Sequence, residues 1–160
     1  MKLFIVRHGE AEPVVRTDAE RALTRRGRHD AQALGKLLAA GQVQWDAIIV
    51  SPYLRAQQTL EMLLQSFPVH PPVTVNHTIT PDNAVAEAFA ALEGFSGQQT
   101  ILMVSHMPLV SALVASLVSG SPHDALHYPM PTASFAELDV SAWHPGGAGL
   151  KRLICPPYNA

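Results

Sequence analysis

Apolar residues along this chain follow two rhythms. Leu3-Phe4-Ile5-Val6, Ala47-Ile48-Ile49-Val50 and Ile101-Leu102-Met103-Val104 are short unbroken runs, mostly of β-branched and large apolar side chains, a pattern that predicts strands buried on both faces. Between them, apolar positions recur at helical spacing. Thr24 can cap a helix whose inner face is Ala31, Leu34 and Leu38 and which stops at Gly41. Ser51-Pro52 opens a second helix carrying Ala56, Leu60, Leu63, Leu64 and Phe67 on one side. Residues 84–92 read as a third. The stripe Val110, Leu113, Val114, Leu117 and Val118, closed by Gly120, has the spacing of a helix packed on a central sheet. Pro68, Pro71, Pro72 and Pro81 break helices, leaving Val73-Thr74-Val75 as a weak strand among them. Residues 133–140 and 149–154, parted by Pro145-Gly146-Gly147, read as a terminal strand pair.

Buried strands alternating with amphipathic helices predict an α/β fold: a three-layer α/β/α sandwich around a mostly parallel sheet with right-handed crossovers. A chain of 160 residues fits one domain, 1–160. Ligands in such folds bind beyond the carboxyl ends of the strands, and there each strong run ends in something unusual. LFIV ends in Arg7-His8-Gly9, AIIV in Ser51-Pro52-Tyr53-Leu54-Arg55, and ILMV in Ser105-His106. Parallel strands would bring Arg7, His8, Arg55 and His106 to one rim.

Such a cluster of cations repels itself unless an anion sits among them, and the planar fork of Arg suits a phosphoryl group. A neutral imidazole, with an unperturbed pKa of about 6.5, is also a competent nucleophile. The residues therefore predict covalent phosphoryl transfer. His8 attacks phosphorus in line, Arg7, Arg55 and His106 neutralise the equatorial oxygens, and water hydrolyses phospho-His8. No metal or cofactor is expected to take part. The chain is 48% hydrophobic and 15% charged with a net charge of −2, which offers no general attraction for nucleic acid, so any positive site must be local. Cys155 is the only cysteine; it permits no internal disulfide, fits a reducing compartment and reads as a small buried apolar residue. The apolar run after Lys2 is too short for a signal peptide or a membrane span, and the expectation is a cytoplasmic, monomeric protein.

"VRHGEA", "LTRRGRHDAQALGKLL", "SPYLRAQQTLE" and "ILMVSHMPLV", in this order, resemble the histidine phosphatase superfamily, the phosphoglycerate mutase-like fold, over roughly residues 1–120. The resemblance implies that His8 is the phosphorylated nucleophile and that Arg7, Arg55 and His106 complete the phosphate pocket. It also implies a backbone carbonyl bond, from Gly9, to the other ring nitrogen of His8. Glu10 and Ser51 lie within the matched motifs, and Gly9 and Ser51 are counted with the phosphate-binding residues. Only about thirty residues separate Phe67 from Thr100, too few for the inserted lid of larger relatives. Compact size and the wording of the motifs look most like the short bacterial SixA-type phosphohistidine phosphatases, which implies a phosphohistidine-bearing protein as substrate, a phosphotransfer domain or a phosphocarrier.

Many relatives place an acidic proton donor shortly before the segment that reads "HTITPDNA", where this chain offers His77 and Thr78, with Asp82 and Glu87 further on. An alkoxide needs a proton to leave; an imidazole needs little help. The missing acid thus favours phosphohistidine over phosphomonoesters, although His77, Asp18 and Glu20 remain candidate donors. The alternatives are a small-molecule phosphomonoesterase of the same superfamily and a catalytically silent phosphate-binding adaptor. His123 and His127, at i and i+4, lack an evident third metal ligand, and His29, His70 and His144 read as surface residues. Arg21, Arg25, Arg26 and Arg28 are interleaved with Asp18, Glu20 and Asp30, as on a solvated helix start.

Overall fold

The computed structural model describes residues 1–13 and 16–158. Its strands are β1 (Lys2–Arg7), β2 (Ala47–Val50), β3 (Val73–Val75), β4 (Thr100–Ser105), β5 (Phe135–Val140) and β6 (Ala148–Ile154). Its helices are α1 (Arg25–Ala40), α2 (Leu54–Leu64), α3 (Val85–Glu93) and α4 (Leu109–Ser119), with 3₁₀ turns at Asp18–Glu20 and Pro122–His127. The six strands form one sheet in the order β3-β2-β4-β1-β5-β6. β1 to β4 run parallel, and β5 is antiparallel to both β1 and β6.

Side chains alternate across a strand, so each unbroken run feeds two cores. Leu3, Ile5, Ile49, Ile101 and Met103 pack with Ala88 and Leu92 of α3 and with Val110, Leu113, Val114 and Leu117 of α4. Phe4, Val6, Ile48, Val50, Leu102 and Val104 pack on the opposite face, with Leu34 and Leu38 of α1 and Ala56, Leu60 and Leu63 of α2. This is the predicted three-layer sandwich. The register sets Arg7 of β1 beside Ser105 of β4 and Val50 of β2 beside Val104, so the three strands end on one rim.

Thr24 caps α1 by accepting the Gly27 N–H at 3.0 Å, and Gly41 closes it. Two expectations need correction. Cys155 is exposed, because it follows the last residue of the edge strand β6 rather than entering a core. Phe67 is buried against Trp45 but lies beyond the end of α2 at Leu64; a turn, not helical periodicity, brings it inward. His123 and His127 occupy a 3₁₀ turn, where three residues make a full turn and positions i and i+4 no longer share a face. Among the described residues no group of three or more His, Cys, Asp or Glu gathers as a metal site, and no helix is long and apolar enough to cross a membrane.

Candidate active site

At the carboxyl rim, the main chain of His8 is held from two sides: its N–H donates to the Ser105 carbonyl at 3.0 Å and its carbonyl accepts from Ala133 N–H at 2.9 Å. The residue is 6% exposed. Its Nδ1 lies 2.7 Å from the Gly9 carbonyl oxygen, which can only accept, so the ring proton sits on Nδ1 and Nε2 presents its lone pair. Arg55 Nε–H donates to that Nε2 at 3.2 Å. The next residue is fixed as firmly: Gly9 N–H donates to Thr59 Oγ1 at 2.9 Å, and that hydroxyl donates to the Arg55 carbonyl at 2.7 Å. The first two turns of α2 therefore hold both the residue after His8, through Thr59, and the guanidinium that touches it, on Arg55.

The His106 ring centroid lies 5.1 Å from that of His8. Ser51 Oγ accepts from Tyr53 N–H at 3.2 Å and lies 2.7 Å from His106 Nε2. The Ser51 hydroxyl proton has no other acceptor among the described residues, so it is donated to Nε2 and leaves the His106 proton on Nδ1. Nδ1 is buried with no protein partner among the described residues, and so is Arg7 Nε, while Arg7 Nη1 is committed to the Met130 carbonyl at 2.9 Å. Two donors are thus left for something that is not protein. Tyr53 lines the same place, its ring 5.0 Å from that of His106 and 5.1 Å from the Arg55 guanidinium carbon.

Burial is the main reason both imidazoles stay neutral, since charging them would strand a cation away from water. It pushes His8 down to about 4, with Arg55, Arg7 and Arg21 adding repulsion against the opposing pull of the Gly9 bond. His106 falls to about 3 by burial and by the nearness of His8 and Arg55. Burial, then Arg55, lowers Arg7 as well.

The four expected residues Arg7, His8, Arg55 and His106 meet, with Gly9 and Ser51 directly behind them. Glu10 does not join them; its Oε2 accepts from Thr24 Oγ1 at 2.7 Å and so supports the cap of α1. His77 and Asp82 are exposed, and Glu87 accepts from Asn83. Asp18 was one of several possible acids in the sequence, and it alone reaches Arg55, accepting from Nη1 through its carbonyl at 2.7 Å and from Nη2 through Oδ2 at 3.1 Å. Thr59 and Ala133 carried no signal in the sequence, because a lone Thr on a helix and a lone Ala in a loop are commonplace. Ala133 sits at φ +61°, an uncommon conformation for a residue with a Cβ, and donates to the His8 carbonyl from there.

The model of the histidine phosphatase superfamily (branch 1) matches residues 3–79. Phosphohistidine phosphatase SixA of Escherichia coli (strain K12) is 34% identical over 122 residues, which is 75% of this chain and 76% of that protein. The chain belongs to the histidine phosphatase superfamily. A second superfamily relative, the phosphohistidine phosphatase SixA homolog of Haemophilus influenzae, is 35% identical over 86% of this chain and 87% of its own. The structure of the protein histidine phosphatase SixA complexed with tungstate superposes with a TM-score of 0.86 at 30% identity, covering 98% of this chain and 97% of that one. The alpha-ribazole phosphatase from Shigella flexneri shares the superfamily fold, with a TM-score of 0.78 at 22% identity over 96% of both chains.

Proposed function

We propose that this protein is a phosphohistidine phosphatase, hydrolysing the phosphoryl group of a histidine-phosphorylated protein through a covalent phospho-His8 intermediate. The observation that carries this reading is the His8 ring: Nδ1–H held by the Gly9 carbonyl at 2.7 Å, with the lone pair of Nε2 aimed among Arg7, Arg55 and His106. Tetrahedral oxygens placed there meet the free Arg7 Nε–H and His106 Nδ1–H, and Arg55 turns its Nε–H from the His8 lone pair to an equatorial oxygen as phosphorus arrives. The Arg7 and His106 donors are in place before substrate binds, which is where electrostatic catalysis gains most.

Water then attacks phospho-His8, whose ring carries the Nδ1 proton. The N–P bond breaks with its electron pair returning to Nε2, and dihydrogen phosphate leaves beside a neutral imidazole. Similarity to SixA proteins over most of both chains supports a phosphohistidine substrate. Quenching a turnover of ³²P-phosphohistidine protein should place acid-labile, base-stable label on His8, and His8→Ala should lose label and turnover together. Label on another residue, or turnover surviving His8→Ala, refutes the reading.

A further inference from the structure

A carboxylate stands where an anion pocket should least want one. Asp18 Oδ2 lies 3.1 Å from Arg55 Nη2 and Oδ1 3.0 Å from Arg21 Nη1, and the Asp18 side chain is 49% exposed against 5% for Arg55. The described chain on either side of it is tied down: Ala11 bridges Leu23, Glu12 N–H donates to the Ala22 carbonyl, and Leu23 N–H donates to Gln58 of α2. The Arg55 guanidinium bridges His8 Nε2 and Asp18 Oδ2, and the carboxylate is the solvent-exposed end of that bridge, one guanidinium away from the nucleophile's lone pair at the rim of the site. Half-exposed, each of its oxygens accepts a single hydrogen bond and keeps a lone pair free.

We propose that Asp18 is a specificity determinant that selects N-phosphoryl over O-phosphoryl substrates by accepting a hydrogen bond from a cationic, protonated leaving group. This assignment rests on the reading of the site as a phosphohistidine phosphatase. A phosphomonoester brings a dianion and a neutral or basic leaving oxygen, and a fixed negative charge at the rim repels it. A phosphorylated imidazole protonated on its distal nitrogen brings a positive N–H to the same place, which the carboxylate attracts. In the step itself the His8 Nε2 lone pair forms the new N–P bond. The substrate's N–P bond breaks, its electron pair passes to the departing ring nitrogen, and the ring, already protonated on its other nitrogen, leaves as neutral imidazole. No proton has to be supplied. Asp18 is also a poor proton donor: although its partial burial would raise its pKa, the hydrogen bonds from Arg21 and Arg55 outweigh that and hold the carboxyl below its ordinary range.

The test is the ratio of kcat/KM for N-phosphoimidazole to that for 4-nitrophenyl phosphate in wild type, Asp18→Asn, Asp18→Ser and Asp18→Glu. A ratio is blind to misfolded material and to any loosening of Arg55, which affects both substrates. It should fall about tenfold or more in the Asn and Ser variants, the size expected for one charge-assisted hydrogen bond, and Asp18→Glu should retain more of it than either. A ratio that holds within about twofold in both neutral variants overturns the assignment. Wild type that leaves N-phosphoimidazole and phosphohistidine protein intact while cleaving 4-nitrophenyl phosphate instead overturns the phosphohistidine reading itself.

Discussion

At the scale of single residues, the site depends on where two ring protons sit. The Gly9 carbonyl decides it for His8, and for His106 the decision falls to the Ser51 hydroxyl. Ser51→Ala removes the donor to His106 Nε2 and lets the proton move off Nδ1, the donor left for a phosphoryl oxygen. kcat/KM should fall about tenfold, the worth of a charge-assisted hydrogen bond to the transition state, with the loss mostly in kcat. Steady-state kinetics checks it, and unchanged kcat would mean that Ser51 does not set the tautomer. Arg7, His8, Ser51, Arg55 and His106 were legible in the sequence because each lies on or close behind a strand whose apolar run announces itself. Asp18 was visible only as one acid among several. Its approach to Arg55 is made by a loop that folds back through the Ala11–Leu23 bridge, and nothing in the local spacing of residues 11–23 encodes that closure.

At the scale of elements, strands and helices could be read because burial on both faces forces continuous apolar runs, while one-sided helices keep the 3.6-residue stripe. α4 is nearly buried all round, yet its stripe still placed it. Helix ends were harder: Phe67 matched the α2 stripe but is buried through a turn, a contact that periodicity cannot distinguish from one more helical residue. Closest approach was also hidden in the sequence. A Cβ on Gly27, in the first turn of α1, would collide with the Glu10 carbonyl oxygen, and one on Gly9 would lie 2.8 Å from the Gly27 carbonyl oxygen. These two glycines let the loop after β1 lie directly on α1. Gly27→Ala should therefore cost about 1–3 kcal/mol, as overpacking does, and lower activity as well, because the displaced segment carries His8 and Gly9. Gly97→Ala, where an added Cβ meets nothing within 4 Å, should stay within about 0.5 kcal/mol of wild type. Urea unfolding of the two variants makes the comparison; equal stabilities would refute the close-packing argument.

For the whole molecule, a site that keeps two imidazoles neutral weakens the fold in acid. The unfolded chain protonates both rings as pH falls through about 6.5, whereas the folded chain resists until about 4 at His8 and about 3 at His106. Between those limits the unfolded state binds more protons, so stability must rise with pH and be lost as pH falls. Each ring contributes a slope of up to about 1.4 kcal/mol per pH unit within its window. Asp18 and Glu137, whose folded pKa values are also lowered, add losses in the same direction but only below the ordinary carboxylate range, near pH 4. The interval from pH 6.5 to 4.5 therefore isolates the imidazoles. Urea midpoints measured across it should drop steeply for wild type and clearly less for a His8→Asn, His106→Gln double variant, which has no ring left to charge at the site. The same neutrality keeps a lone pair on His8 at pH 5.5, so the acid limb of kcat/KM should lie well below 6.5. A wild-type stability curve as shallow as that of the double variant would mean that both imidazoles charge within the fold at their ordinary pKa, and that the lone pair is not protected by burial.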